Sequence, residues 1–502
     1  MPRSARKRIA RWIGGGLLAV WVLVGAWNTW KPMPQGVVVN GGWSALHEGD
    51  VRFLRDITAA DAYGHSIVDQ QIFDAAFRII ADAQRFVVLD MFLFNTQRGA
   101  RTSAPATSLR PLAEELTRLL IDKRRADPQF RVLFITDPIN DVYGGEPSPE
   151  LKTLRAAGVD VVVTDLDRLR DSNPAYSALW RLAIGWWADG GPGDWPNPFD
   201  AGAPGVSLGV WARLANFKAN HRKLLIADGP DGVLHGLVTS ANPHDASSQH
   251  SNVALAIKGP ALAPLLESEL AIARFSGWTG EPLPVSAAAA SGGAASASAS
   301  AAATGRIRIV TEESIADAVV ERLQTCAAGD AIDIAMFYLS DRDVLRALHD
   351  AAARGAAVRV LLDPNKDAFG REKNGIPNRP VATELVAGSD GAIRVRWYRT
   401  HGEQFHVKLV AVRGREGYWL TLGSANLTRR NLRDYNLEAN VVVETPRESV
   451  LELAVLQWFD GLWSNRAPAG VEYTAEFGAY ADPTQLNYWG YRFMEATGFS
   501  TF

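Results

Sequence analysis

The sequence contains a single cysteine, Cys326, among its 502 residues. One cysteine excludes an intrachain disulfide and any metal site built from several thiolates. The chain also lacks an excess of charge of either sign, since its formal net charge is -3 and its pI is about 6.3. Nucleic-acid-binding domains usually carry a strongly basic surface. We therefore expect no nucleic-acid partner.

The N-terminus combines a basic cluster with an uncharged segment. Residues 12–30 carry no charge over 19 positions, about the length that crosses the hydrocarbon core of a membrane. Positive residues before such a segment favour the cytoplasmic side. Positions 1–31 therefore predict a single-pass anchor in the cell inner membrane, with the remaining chain on the extracytoplasmic (periplasmic) side. A cleaved signal peptide is the alternative, because Val24-Gly25-Ala26 offers small residues at a cleavage position.

The rest of the chain has the composition of a globular protein, with 47% hydrophobic and 21% charged residues. A similar order of strands and helices occurs twice, in residues 32–285 and 306–469. We predict buried strands at 86–95 and 331–340, a helix over 66–84, and an irregular segment over 31–64. Alternation of strands and helices predicts an α/β fold of two similar sandwich halves, each with a largely parallel sheet.

Three segments lie outside this repeat. Residues 286–305, rich in alanine, serine and glycine, predict a flexible linker. The first half has an insertion at about 167–217 that is rich in tryptophan. It is interpreted either as a lid on the domain or as a surface for acyl chains or the membrane interface. The aromatic segment 470–502 packs across a domain or contacts lipid, and the sequence leaves both open.

A short motif occurs once in each half. His221 and Lys223 begin an apolar segment that is followed by Ser240-Ala241-Asn242. His406 and Lys408 begin a similar segment that is followed by Ser424-Ala425-Asn426. Residues i and i+2 of a strand point to the same side, so each histidine should project with its lysine. Two such half-sites predict one shared active site.

These residue types suit attack on a phosphodiester. Histidine can act as the nucleophile or as the acid near neutral pH, and lysine supplies positive charge for phosphate oxygens. The side chains that follow each hairpin, those of Ser240, Asn242, Ser424 and Asn426, are candidates for binding the same oxygens.

The paired motif resembles the phospholipase D superfamily, which is marked by a duplicated HxKxxxxD motif with a following GSxN-like segment. The resemblance covers residues 66–463 and is greatest to bacterial cardiolipin synthases and related phosphatidyltransferases. It implies catalytic roles for His221, Lys223, Asp228, His406, Lys408 and Glu438. It also implies a phosphohistidine intermediate and neither a metal nor another cofactor.

Two positions depart from the family pattern. The motif aspartate is present as Asp228 in the first copy, but Arg413 stands in its place in the second. Glu438 follows Asn426 at a spacing that fits a carboxylate that orients a histidine, whereas Ala254 stands at the same spacing after Asn242. Glu438 therefore favours His406 as the nucleophile, while the family more often uses the first copy, His221. The assignment stays open.

The function expected from this resemblance is phosphatidyl transfer of the cardiolipin synthase type. The substrates would be phospholipids, phosphatidylglycerol among them, at the membrane, and no obligate protein partner is inferred. Hydrolysis by a phospholipase D is the alternative, because water can replace the acceptor alcohol. A phosphodiesterase or nuclease of the same superfamily and a non-catalytic lipid-binding protein are the other hypotheses.

Overall fold

The computed structural model describes residues 3–61, 63–97, 109–200, 202–285, 303–368, 371–466 and 471–502. The predicted linker lies almost wholly outside these ranges. The chain begins with helix α1 (Arg3–Trp30), which is long and apolar enough to cross a membrane. Each predicted half then contains one large sheet with helices on its outer side.

The first sheet has eight strands in the order β3-β2-β10-β9-β8-β4-β5-β6. Only β4, β5 and β6 run parallel to one another, and the other neighbours are antiparallel. The bounds are β2 Val51–Ala60, β3 Ser66–Gln70, β4 Phe86–Met91, β5 Arg131–Thr136, β6 Asp160–Val163, β8 Lys223–Asp228, β9 Leu234–Thr239 and β10 Asn252–Lys258. Strand β7 (Pro192–Trp195) lies in the insertion.

The second sheet has nine strands: seven repeat the topology of the first sheet, and a strand from residues 44–46 of the first half and one from residues 474–476 lie at its two edges. Its order is β1-β11-β19-β18-β17-β12-β13-β16-β20, with only β12, β13 and β16 parallel. The bounds are β1 Ser44–Leu46, β11 Gly305–Thr311, β12 Ala331–Met336, β13 Ala357–Leu362, β16 Ile393–Tyr398, β17 Lys408–Arg413, β18 Gly417–Gly423, β19 Ala439–Pro446 and β20 Thr474–Glu476. A small hairpin, β14 (Asp367–Ala368) and β15 (Arg371–Glu372), is separate.

The remaining helices lie around these sheets. They are α2 Ile72–Asp82, α3 Leu112–Ala126, α4 Pro149–Ala156, α5 Pro174–Leu179, α6 Leu208–Leu214, α7 Ala263–Phe275, α8 Glu313–Thr325, α9 Arg342–Ala353, α10 Asn378–Gly388, α11 Arg429–Leu432, α12 Val450–Trp463 and α13 Gln485–Thr497. Helix α9 begins after Asp341, whose carboxylate accepts from the backbone N–H groups of Asp343 and Val344.

The two sheets pack face to face. Strand β4 shows why: Phe86 and Val88 point into a core shared by both halves, while Val87 and Leu89 point into the outer core of the first half. A strand buried on both sides has a continuous apolar sequence. The result is a layered α/β arrangement in which the ends of the central strands of both sheets meet at one site.

Three expectations about the elements are wrong. The sheets are mixed rather than largely parallel, because the histidine strands return as antiparallel hairpins. The segment 31–64 contains β1 and the ten-residue strand β2. The helix predicted from Ser66 starts only at Ile72, because residues 66–70 pair with β2 as strand β3. The helical spacing of the apolar residues starts at Ile72, and residues 66–70 instead pair with the neighbouring strand.

Candidate active site

The two histidines lie in one cavity of about 360 Å³. Each precedes its strand by two residues, since β8 starts at Lys223 and β17 at Lys408. Each histidine segment also pairs with the opposite half. The N–H of His221 donates to the carbonyl of Leu437 (2.9 Å), and that of His406 donates to the carbonyl of Ser251 (2.9 Å). The predicted shared site is therefore assembled by reciprocal contacts between the halves.

One ring nitrogen of each histidine, Nδ1, also forms a hydrogen bond with the opposite half. Nδ1 of His221 lies 2.8 Å from Oε1 of Glu438. Nδ1 of His406 lies 2.9 Å from the carbonyl of Ser240 and 3.2 Å from Oδ1 of Asn252. All three partners are acceptors, so each Nδ1 carries the proton in these hydrogen bonds. Nε2 is then the nitrogen available for chemistry on each ring.

These contacts correct the argument that linked Glu438 to His406. Glu438 contacts His221, although it comes from the second half. Its counterpart is Asn252 rather than Ala254, because Ser240 donates to Asn252 as Ser424 donates to Glu438. The loop after Asn242 is shorter than the loop after Asn426, so an equal spacing from the two asparagines misses Asn252. The carboxylate therefore favours His221 as the nucleophile.

Burial dominates the protonation of the site. It lowers the pKa of His221 to about 4, although Glu438 opposes this shift. The pKa of His406 is well below its usual value, through burial and then the nearby Lys408 and Lys223. Burial alone would raise the pKa of Glu438, but His221 and Lys223 outweigh it and hold this pKa below the ordinary value. The result is a carboxylate beside a neutral His221.

The two lysines lie beneath the histidines and are fully buried. Nζ of Lys223 donates to the carbonyl of His221 (2.6 Å) and lies 4.8 Å from the ring centre of Phe92. Lys408 repeats this arrangement with His406 (3.0 Å) and with Phe337 (5.2 Å). Burial lowers the pKa of Lys223 to about 7 and that of Lys408 well below its usual value. An anionic phosphate would favour the charged form of both.

The four predicted phosphate-binding side chains divide into two kinds. Asn242 and Asn426 line the cavity, and Oδ1 of Asn426 has no hydrogen-bond partner among the described residues. Ser240 and Ser424 do not line it, because their hydroxyls donate to Asn252 and Glu438. The serines thus support the residues that hold the histidines, and their predicted contact with phosphate is not supported.

Asp228 lies outside the cavity, so a direct catalytic role is not supported. It ends β8, five residues and about 16 Å along the strand from Lys223. Its Oδ1 accepts from the backbone N–H groups of Gln84, Arg85 and Phe86, and its Oδ2 accepts from Nε of Arg85 (2.9 Å). Asp228 therefore fixes the start of β4, and Arg413 in the equivalent place is remote from the chemistry.

Each half has an Asp-Pro pair, Asp137-Pro138 or Asp363-Pro364, whose aspartate supports a histidine segment. Asp137 accepts from the backbone N–H of Asn220 (2.7 Å), and Asp363 accepts from that of Phe405 (2.8 Å). Burial raises the pKa of Asp137 to about 7 and that of Asp363 to about 6. The sequence repeat contained this signal, but the two pairs had no assigned role.

An internal ion cluster lies on the other side of the His-x-Lys strand. Arg222 is fully buried and forms ion pairs with Glu269 from the first half (2.7 Å) and with Glu312 from the second (2.6 Å). Glu312 also accepts from the backbone N–H of Glu438 (3.1 Å). The middle residue of the first motif thus joins the halves behind the site and holds the segment that carries Glu438.

Most of the exposed surface of the cavity wall is apolar, although more polar than apolar residues line it, and most of these residues were not predicted. The insertion supplies Phe199, Leu214 and Phe217, and residues outside it supply Phe92 and Tyr143. Thr501, in the aromatic C-terminal segment, also lines the cavity. This composition favours an apolar substituent on the bound phosphodiester.

Arg430 adds a positive charge to this wall. Its guanidinium donates to the carbonyls of Phe217 (3.4 Å), Ser500 (3.1 Å) and Thr501 (2.6 Å). No carboxylate of the described ranges lies within ion-pair distance of it. Arg430 therefore links the insertion to the C-terminal segment at the cavity.

His401 is half-exposed beside Glu403 and does not line the cavity.

Comparison with known proteins agrees with this geometry. Residues 319–463 match the family described as cardiolipin synthase, PLD-like domain. Among curated proteins, none matches the chain in sequence. Phosphatidylserine synthase from Haemophilus influenzae shares the fold over 91% of this chain and 95% of its own, with 10% identity and a TM-score of 0.53.

Two further solved structures are less similar. Polyphosphate kinase from Porphyromonas gingivalis aligns with 89% of this chain and 53% of its own, at 12% identity and a TM-score of 0.44. Nuc from Salmonella typhimurium, a phospholipase D family member, aligns with 32% of this chain and 95% of its own, at 18% identity and a TM-score of 0.24.

The family match and the shared fold confirm the resemblance to the phospholipase D superfamily. The family match covers residues 319–463 of the chain, and the likeness to phosphatidylserine synthase shows that its fold extends over both halves. The sequence match lies in the second half alone, where the chain is similar to the cardiolipin synthase, PLD-like domain.

Proposed function

We propose that the protein transfers a phosphatidyl group from one phospholipid to the alcohol of another, as a cardiolipin synthase does. The observation that carries this proposal is the composition of the cavity that both histidines share. It joins His221 and His406 to a largely apolar surface, to which the insertion contributes Phe199, Leu214 and Phe217. A nucleic-acid strand offers no long apolar substituent, whereas a diacylglycerol does.

In the proposed first step, Nε2 of His221 attacks the phosphorus of the donor. The bond from phosphorus to the headgroup oxygen breaks, and His406 gives its proton to that oxygen. The bound phosphodiester anion raises the pKa of His406 so that it can hold this proton. Glu438 stabilises the positive charge that develops on the imidazole of His221.

In the proposed second step, His406 removes the proton of the acceptor hydroxyl. The acceptor oxygen attacks phosphorus, the P–N bond breaks, and His221 is restored. With phosphatidylglycerol as donor and acceptor, the products are cardiolipin and glycerol. Water in place of the acceptor gives phosphatidic acid, so the same site accommodates hydrolysis.

The purified full-length protein tests this proposal in vesicles of phosphatidylglycerol, with products identified by mass spectrometry. We expect cardiolipin and glycerol from the wild type, and no detectable product from His221→Asn or His406→Asn. His401→Asn is the matched control and should retain the full rate. Phosphatidic acid as the sole product would show that the protein hydrolyses phospholipid and does not transfer the phosphatidyl group. Unchanged phosphatidylglycerol would refute both reactions.

We also propose that α1 anchors the protein in the inner membrane, with the catalytic halves on the extracytoplasmic side. Its exposed apolar residues, including Leu17 and Leu23, support this placement. Protease protection of sealed spheroplasts tests the orientation. Digestion of the catalytic halves from outside is expected, and full protection would contradict it.

A further inference from the structure

The insertion contacts the candidate membrane helix at two levels. Near the end of α1, the N–H of Asp171 donates to the carbonyl of Asn28 (2.9 Å), and Nζ of Lys31 donates to the carbonyl of Asp167 (3.0 Å). Further back, Nε1 of Trp21 donates to the carbonyl of Ala175 (3.0 Å). The insertion therefore runs along α1, antiparallel to it, over its last three turns.

Close packing accompanies these hydrogen bonds. Gly25 faces α5, and a methyl group added there would lie 3.2 Å from the carbonyl oxygen of Pro174 and 3.6 Å from the side chain of Ala178. A small residue at this position lets the two helices approach closely. The contact is thus a fitted helix pair.

The depth of α5 in the membrane follows from the level at which it contacts α1. The uncharged segment ends at Trp30, and Trp21 lies nine residues earlier, which is about 13 Å along a helix. One leaflet contributes roughly half of a hydrocarbon core about 30 Å thick. If residues 12–30 cross the membrane, the residues that contact Trp21 lie inside the leaflet.

The surface of residues 174–188, here called the leaflet segment, suits that environment. Its exposed residues are all apolar: Ala175, Leu179, Leu182, Ala183, Trp186 and Trp187. Its hydroxyls are hydrogen-bonded, Tyr176 to the carbonyl of Ala212 and Ser177 to Asn216. Its one charged residue, Arg181, is paired with the buried Asp171. Within lipid, polar groups must be satisfied internally in this way.

We propose that the leaflet segment is embedded in the acyl region of the membrane leaflet, beside α1. The partner of this surface is lipid, and the proposal rests on α1 being a membrane span. The same insertion reaches the active site, because Lys218 lines the cavity and forms an ion pair with Asp171. The insertion would therefore hold the cavity at the lipid surface, where a phospholipid enters from the leaflet.

Depth-sensitive quenching tests the embedding. A fluorescent label is attached to single cysteines at Leu182, Trp186, Leu17 and Leu453, in full-length protein with Cys326→Ala, reconstituted in phosphatidylglycerol vesicles. Leu453, half-exposed on α12, is the water-exposed control. We expect nitroxide on lipid chains to quench the labels at positions 17, 182 and 186 at least twice as strongly as the label at 453. Aqueous iodide should show the reverse order.

Two results would overturn the proposal and are distinguishable. If position 17 is in lipid while positions 182 and 186 behave like 453, α1 spans the membrane but the insertion stays in water. If position 17 is also in water, α1 is no anchor and the proposal fails with that placement. Neither result affects the test of phosphatidyl transfer.

A functional measurement gives an independent check. The double variant Trp186→Ser/Trp187→Ser should lose at least tenfold activity on vesicles. It should keep its activity within twofold on a short-chain phosphatidylglycerol dispersed as monomers, because neither residue lines the cavity. Equal losses on both substrates, or no loss on vesicles, would contradict a role at the membrane.

Discussion

Glu438→Gln is expected to slow phosphatidyl transfer while leaving the fold intact. The substitution preserves the shape of the side chain and removes its charge. Glu438 is fully buried, lies 2.8 Å from Nδ1 of His221, and also accepts from Ser424 and Asn431. The oxygen of a glutamine can still accept hydrogen bonds, but a neutral glutamine cannot balance a positive phosphohistidine.

The expected loss follows from the kind of hydrogen bond removed. Hydrogen bonds to charged groups contribute about 1.5–3 kcal/mol, and each 1.4 kcal/mol of barrier is about tenfold in rate. We therefore expect kcat to fall about 10- to 100-fold. KM should change by less than about threefold, because Glu438 does not line the cavity.

Asn252→Ala is the matched control, since Asn252 holds the corresponding place beside His406. Its loss should be below about tenfold, because the carbonyl of Ser240 still accepts from Nδ1 of His406. The assay is initial-rate formation of cardiolipin, with the fold checked by thermal unfolding. An unchanged rate in Glu438→Gln, or a greater loss in Asn252→Ala, would refute the assignment of roles.

Groups outside this pair give three further predictions. Asp228→Asn should lower the unfolding free energy by about 1–3 kcal/mol, as expected when buried N–H groups lose their charged acceptor. The kcat of the folded enzyme should stay within about threefold. A variant that is inactive but fully stable would show that Asp228 takes part in catalysis. Burial raises the pKa of Asp137 to about 7, so the contribution of Asp137 to stability falls as pH rises from about 4 to 7. Relative to the wild type, Asp137→Asn should gain up to about 1.4 kcal/mol of unfolding free energy per pH unit in that window and nothing above it. A difference in unfolding free energy that does not change with pH, measured by chemical denaturation, would contradict this. Phe199→Ala should raise KM for long-chain phosphatidylglycerol about tenfold, since burying such a side chain contributes about 1.5–3 kcal/mol. KM for a small soluble phosphodiester should not change. Equal effects on both substrates would show that Phe199 does not contact the acyl chains.

The paired motif could be predicted from sequence because it depends on local spacing. His221 and Lys223, like His406 and Lys408, needed only the strand period and the repeat to be placed together. The repeated Asp-Pro pairs gave a signal of the same kind. The buried strands predicted at 86–95 and 331–340 start at the correct residues, since apolar residues alone mark them, but they end earlier, at Met91 and Met336.

Contacts between the halves could not be predicted from local spacing. Glu438 follows the second histidine in the chain but contacts the first, because His221 pairs with residue 437 across the interface. Asn252 was missed because the loop that precedes it is shorter than its counterpart before Glu438. Strands β2 and β3 were missed because their pairing depends on β10, which comes much later in the chain.

Whether His221 carries the phosphatidyl group is tested most directly by trapping the intermediate. The enzyme is mixed with phosphatidylglycerol and quenched under conditions that preserve phosphohistidine, and the modified peptide is mapped by mass spectrometry. We expect modification at His221 in the wild type and none in His221→Asn. Modification at His406, or at neither histidine, would contradict the proposed mechanism.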